Sequence, residues 1–293
     1  MKRFCQVLCL LLVGAFVAES ADKKILLIAG RPSHGPGDHE FRAGCLLLEK
    51  CLDQLPAITA EVHDMGWPKS DDAFKGVDAI LIYADGGGRH PAIQPARTKL
   101  INDLIAKGVG VGCAHYGVEV PAGDTGKTMQ DWIGGYYEHK FSVNPMWAPD
   151  FKTFPKHPIT NGVKPFKVVD EWYFNMRFRQ DGVGKITPIL AAKPGKDVRD
   201  GPYVYPKGPY KHILDAQGRP ETTMWAYERP NGSRGFGFTG GHKHVNWGND
   251  NYRKVVLNGL LWLAKADIPK NGADSKVAAE ELKQNLDPKG RRK

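Results

Sequence analysis

Ten histidines are distributed over the 293 residues, and six of them fall in glycine-bearing turns that follow short apolar runs. Arg31, His34, Asp38 and His39 follow the run at 24–29, and Asp85, Gly86-Gly87-Gly88, Arg89 and His90 follow the run at 77–83. His115 and Tyr116 follow 108–114, and Gly240-Gly241-His242-Lys243-His244 follows 235–239. Imidazoles gathered in this way suit two kinds of chemistry. They move protons near neutral pH, or as neutral ligands they hold a divalent transition metal such as zinc. On the first reading His115 and His242 are the general acid and base, with Glu171 as a further acid, base or histidine-orienting group. On the second, His39, His115 and His242 are metal ligands, completed by His34 or Glu171. The pair His242-x-His244 is only a partial instance of close ligand spacing. Arg31, His34, His39, Asp85, Gly86, Tyr116 and His244 are the candidate ligand-binding residues around this centre.

Each of these has a plainer alternative. Asp38 fits a helix N-cap as well as a site, and Gly86-Gly87-Gly88 permits a tight turn as readily as it offers backbone N–H groups to an anion. Cys113 lies one step inside an apolar run, where a thiol is a small core residue before it is a nucleophile. His63, His139, His157 and His212 read as surface or turn residues, and His244 is placed to face solvent. Most of the tryptophans and tyrosines read as packing, with a sugar-stacking platform as the minority use.

A parallel sheet is what brings such turns together. The continuous apolar runs at 24–29, 77–83 and 108–114 suit strands buried on both faces, and 59–63 alternates like a strand. Helical spacing at 39–55 and 93–106 places crossovers between them. The order predicts an α/β, three-layer Rossmann- or flavodoxin-like sheet, whose ligands bind beyond the carboxyl ends of the strands. Residues 134–143, 166–169 and 186–192 read as an added strand-rich or antiparallel section, and 193–221 as a long surface excursion. Residues 223–228 and 235–239 read as a paired-strand ribbon, and 249–266 as the clearest helix.

The segment Gly110-Val111-Gly112-Cys113-Ala114-His115-Tyr116-Gly117 resembles a nucleophile elbow, with Cys113 and Gly117 flanking His115 at the apex. In this the chain is similar to the class I glutamine amidotransferase superfamily. Amidotransferases, however, carry cysteine at the apex and a later His-x-Glu pair, and here His115 and His242-Lys243-His244 stand instead. The Cys-His-Glu glutaminase triad is therefore missing. Histidine at the apex, His157-Pro158-Ile159-Thr160, Asp170-Glu171-Trp172-Tyr173, Gly241-His242 and the Leu260-Leu261-Trp262 helix resemble the ThuA-like (trehalose-utilisation) branch over about residues 23–266. That resemblance implies an amidotransferase-like fold and a link to carbohydrate metabolism.

Residues 1–20 carry a basic start at Lys2 and Arg3, an apolar stretch at 4–18 and small residues before Ser20, the pattern of a secretory signal cleaved after Ser20 or Ala21. The expectation is an exported protein, periplasmic or extracellular, with no membrane span after cleavage, a domain over 21–267 and a basic polar tail over 268–293. The formal net charge is +9, but the first 20 residues and the last 26 carry part of it, leaving +5 on residues 21–267. With no basic run interleaved with aromatics, nucleic acid is excluded as a partner, and a small carbohydrate ligand is expected. Cys45, Cys51 and Cys113 lack CxxC spacing and read as buried apolar residues rather than a disulfide framework. The tail reads as a short exposed helix or a disordered end. Two functions remain in view: a sugar-modifying enzyme, and a non-catalytic module that binds a sugar or anion on the same rim. The sequence leaves the oligomeric state open.

Overall fold

Aliphatic runs with no polar face must be covered on both sides, and the chain does this with a central sheet between two helical layers. The computed structural model describes residues 22–289, so the expected signal segment at 1–20 lies outside the described residues. The main strands are β1 (Lys23–Ala29), β2 (Ile58–His63), β3 (Ala79–Tyr83), β4 (Gly110–Ala114), β5 (Lys185–Ala192), β6 (Glu221–Glu228) and β7 (Arg234–Phe238). Their order is β5-β6-β7-β4-β3-β1-β2. β2, β1, β3, β4 and β7 are mutually parallel, whereas β6 runs antiparallel to both β7 and β5. The sheet is thus mixed but dominated by parallel pairs, and the 186–192 run joins it as an edge strand.

Alternation along the strands divides the core. Ile25, Leu27 and Ala29 point to the face covered by α1 (Phe41–Leu52) and α4 (Asp250–Leu263). Leu26 and Ile28 point to the face covered by α2 (Pro95–Ala106) and α3 (Asp124–Ile133). On α4 the apolar positions Tyr252, Val255, Val256, Leu260 and Leu263 are all fully buried. Truncating one such leucine to alanine costs about 2–5 kcal/mol. Cys45, Cys51 and Cys113 are free and buried, and burial pushes all three thiols upward, which removes Cys113 as a nucleophile.

Several elements differ from the sequence expectation. α3, which the sequence reading did not place, buries Gly126, Met129, Trp132 and Ile133 on one face at helical spacing, with a glycine where the first turn would otherwise show a bulky apolar residue. The expected strand over 134–143 shrinks to Gly135–Tyr136 paired with Arg177–Phe178, because the chain turns at 138–142 onto the Glu138 carbonyl. The 193–221 excursion is not merely superficial. Its Arg199 is fully buried, donating to the Ile213 and Arg219 carbonyls and pairing with Glu221 at 2.8 Å. Over its described residues, 268–289, the tail is not an exposed segment: Ala273 is buried against the core, and the chain runs on to pack Lys289 against the loop before α1. Among the described residues no helix is long and apolar enough to cross a membrane.

Candidate functional site

β1, β4 and β7 end on the same rim of the sheet, and each hands one histidine to a common point. His115 sits directly after β4 with φ +51°, a left-handed conformation that turns the chain sharply at the strand end. Gly117 completes this elbow, because a Cβ there would lie 2.8 Å from the Ile82 carbonyl oxygen. His39, also at positive φ, ends the glycine-rich loop after β1, and its N–H donates to the His242 carbonyl across the rim at 3.0 Å. His242 follows Gly241, whose φ of +113° and close approach to Tyr83 and the His115 Cβ require glycine. Glu171 reaches the same point from a two-residue strand, Asp170–Glu171, paired with Met146–Trp147.

The four side chains are buried. His115 Nε2 lies 3.0 Å from His39 Nε2 and 3.3 Å from His242 Nδ1, and His39 Nε2 lies 3.1 Å from His242 Nδ1. Glu171 Oε2 is 2.6 Å from His242 Nδ1 and 3.9 Å from His115 Nε2. Each ring is fixed from behind by an oxygen. His115 Nδ1 faces the Thr239 carbonyl at 3.1 Å, His39 Nδ1 faces Asp85 Oδ1 at 3.0 Å, and His242 Nε2 faces Asp38 Oδ2 at 3.4 Å. A carbonyl or ionised carboxylate can only accept, so each outer nitrogen carries the proton and each inner nitrogen offers a lone pair. Three lone pairs and a carboxylate then face one another at contact distance. Such a centre must hold either a proton or a cation.

The electrostatics agree. Burial pushes His115 and His39 well below the ordinary histidine range, and the neighbouring imidazoles add to it. Burial also acts against His242, but its hydrogen bonds and charge interactions with Asp38 and Glu171 prevail and raise it to about 9. Burial raises the Glu171 carboxyl, and the His242 and Asn144 hydrogen bonds oppose this only in part. His242 and Glu171 therefore share a proton in the absence of a cation. Asp38 is held well below the carboxylate range: burial opposes this, but the bonds to His242 and Lys243 outweigh it.

The remaining sequence candidates lie around this centre. His34 stacks on His39 with ring centroids 3.5 Å apart, and the Tyr116 ring stands 6.1 Å from His39. Arg31 and Asp85 line a cleft beside it. Gly86 serves packing, since a Cβ there would lie 2.0 Å from the Tyr116 carbonyl oxygen, and the Gly87 N–H is already donated to Glu119. His244 does not face solvent: it is buried outside the cluster, and burial pushes it down to about 4. Asp38 is not the α1 N-cap, a position taken by Glu40, but pairs with Lys243 and His242. His90 turns away, bonded to the Gly117 carbonyl and the Ala92 N–H. His157 is a turn residue that caps its own short helix. Trp132, Trp172, Trp225 and Trp247 are fully buried packing residues.

Three contributors escaped the sequence reading. Tyr173 places its hydroxyl 3.3 Å from His115 Nε2. Asp170 accepts from the Gly241 and Lys243 N–H groups and from Tyr252, so it holds the loop that carries His242. The Glu119 carboxyl and the Tyr116 hydroxyl both approach Gly87, and Glu119 is pushed up to about 8 by burial and by the charge of Glu171. The first two lie in the quoted Asp170-Glu171-Trp172-Tyr173 stretch, which was the available signal. Glu119 had none.

A parallel-dominated α/β sheet with three histidines and a carboxylate gathered at its strand ends is the class that fold and geometry define. Residues 28–263 match the ThuA family, described as trehalose utilisation, and the chain belongs to that family. A ThuA-like protein from Bacteroides uniformis has a similar fold, with a TM-score of 0.56 at 13% identity over 85% of this chain and 94% of that one. A glutamine amidotransferase from Thermotoga maritima aligns with a TM-score of 0.40 at 10% identity, over 83% of this chain and 96% of that one. None of the curated proteins compared matches the sequence.

Proposed function

We propose that the protein is an exported, metal-dependent enzyme acting on a carbohydrate or sugar derivative, with His39, His115, His242 and Glu171 holding a divalent transition ion. The observation that carries this reading is the convergence of three inward lone pairs 3.0–3.3 Å apart. Bonds of about 2.0–2.1 Å at tetrahedral angles place neighbouring ligand atoms roughly 3.4 Å apart, so the cluster has the size of a coordination sphere. Three imidazoles and one carboxylate suit zinc, with manganese or iron as alternatives. Such an ion would polarise a sugar oxygen. The carbohydrate class is supported by the family description, trehalose utilisation.

The chain's own residues supply the rest. Tyr173 is placed to hydrogen-bond a group at the centre. Glu119 is a carboxyl near the rim that burial and the charge of Glu171 push up to about 8, which suits it to donate a proton to a leaving oxygen. Being protonated below that value and ionised above it, it predicts turnover that falls as pH rises through about 8. Glu119→Gln should lower kcat by about 10²–10⁴-fold and abolish that alkaline limb while metal content stays unchanged. A Gln variant with the parental pH profile would remove Glu119 from the mechanism.

The reading is tested by elemental analysis of the full chain purified without chelator and again after adding metal back. About one divalent transition ion per chain is expected for a site of this kind. No retained metal under either condition would sink it. A second reading, a non-catalytic sugar-binding module, is favoured by the burial of all four residues, His242 being the most exposed at 7%. It predicts ligand binding with no turnover by the metal-loaded chain.

A further inference from the structure

In the strand order β2-β1-β3-β4, successive connections leave β1 and β3 in opposite directions, which opens a crevice beyond their carboxyl ends. A cleft of about 400 Å³ occupies that position. The ends of β1 and β3 form its floor through Gly30, Arg31, Ala84 and Asp85, and Trp67, Arg89 and Arg97 stand on its walls. Three guanidinium groups therefore face one carboxylate. That carboxylate is already engaged, since Asp85 Oδ1 accepts from Ser33 Oγ at 2.9 Å and from His39 Nδ1 at 3.0 Å. Arg97 is held in place by the Pro91 carbonyl at 2.8 Å and lies 5.5 Å from the Trp67 ring centre. No hydrogen bond or ion pair from the Arg31 or Arg89 guanidinium to a protein acceptor is present among the described residues, and both side chains are exposed. The cleft also touches the histidine centre: Ser33 and Asp85 are at once its wall and the partners that fix His39.

Excess positive charge, an indole and a volume suited to one or two sugar rings all describe the same ligand. We propose that this cleft reads the anionic group of an acidic sugar, a sugar carboxylate or sugar phosphate, whose ring extends past Ser33 toward the histidine centre. Arg31 and Arg89 bind the anion, Arg97 stiffens the wall and Trp67 offers its apolar surface to the ring. The proposal rests on the reading of the histidine cluster as the reacting centre, and it specifies the substrate class.

The test is titration calorimetry of the metal-replete full chain with glucuronate, glucose 6-phosphate, neutral glucose and inorganic phosphate, with metal content measured on the same samples. One of the two anionic sugars should bind at least about tenfold more tightly than glucose and than inorganic phosphate, through charge-assisted hydrogen bonds. Which of them leads distinguishes carboxylate from phosphate recognition. The preference should weaken with added salt and disappear in Arg31→Gln/Arg89→Gln, while Trp67→Leu weakens both anionic and neutral sugars. Glucose binding as tightly as its anionic relatives would overturn the proposal. So would inorganic phosphate binding as tightly as the leading anionic sugar, since the ring would then go unread. A metal-loaded chain without anion preference refutes the cleft alone. Anion preference in a chain that holds no metal supports the cleft and refutes the metal centre.

Discussion

His115→Ala should strip the protein of bound metal and leave it folded. His115 is the histidine placed by the strand-end turn itself, and its Nε2 lies 3.0–3.3 Å from both other imidazole donors. Losing a group that merely orients a ligand costs about 10–100-fold in metal affinity, so losing the ligand should cost more than a hundredfold. Alanine at φ +51° inherits the strain that His115 already carries, so the expected loss of stability is only that of the cavity left by the imidazole. Asp85→Asn and Asp38→Asn each weaken the orientation of one imidazole and should fall in the 10–100-fold range. His90→Gln is the discriminating control. His90 is as buried as the three rim histidines, but its two nitrogens are committed to Gly117 and Ala92, so on the proposed reading this variant should lose stability and keep its metal. Elemental analysis and competition with a chromogenic chelator check the series. Stoichiometric metal retained by His115→Ala would show that the ion lies elsewhere.

How much of this centre could be read from sequence follows from where its parts come from. His39, His115 and His242 lie in turns after apolar runs, and a parallel sheet sends all such turns to one edge, so the sequence alone places them together. The strands were legible because burial on both faces leaves unbroken aliphatic runs, as in Ile25-Leu26-Leu27-Ile28. Glu171 belongs to a two-residue strand, too short for any periodicity, and only the Asp170-Glu171-Trp172-Tyr173 stretch pointed to it. The roles of Asp170 and Glu119 depend on interactions 71 and 52 positions away along the chain, with Gly241 and Glu171. No local pattern encodes such partners. The opposite error has the same origin: His244 shares the loop of His242, but the turn at 244–248 buries it away from the centre.

The tail is where local reading failed most, and it makes the second large effect. A polar, charged stretch with few bulky residues reads as solvent-exposed because each residue is judged against water, whereas here one ammonium is judged against a buried carboxylate. The Lys289 side chain is 4% exposed, and its ammonium lies 3.2 Å from the Glu40 carboxylate, whose side chain is 1% exposed. It also donates to the Asp38 and His39 carbonyls, while Glu40 accepts from the Gly37 N–H and the Asp287 N–H. The tail thereby ties down the loop that carries both His39 and the carboxylate behind His242. Lys289→Ala leaves Glu40 as an uncompensated buried charge, which should destabilise the fold by about 3–5 kcal/mol. It should also weaken metal retention, because the loop that positions His39 is released. Glu40→Gln added to Lys289→Ala removes one stranded charge and keeps an acceptor for the Gly37 N–H, so stability should return in part, the rest being withheld by Asp287, whose buried carboxylate also lies 3.9 Å from Lys289. Metal affinity should recover less, since the two loop carbonyls still lack their donor. Denaturant unfolding of the metal-free proteins, set beside chelator competition on the loaded ones, separates these effects. An unchanged unfolding midpoint in Lys289→Ala would mean that the tail does not carry this clamp in solution.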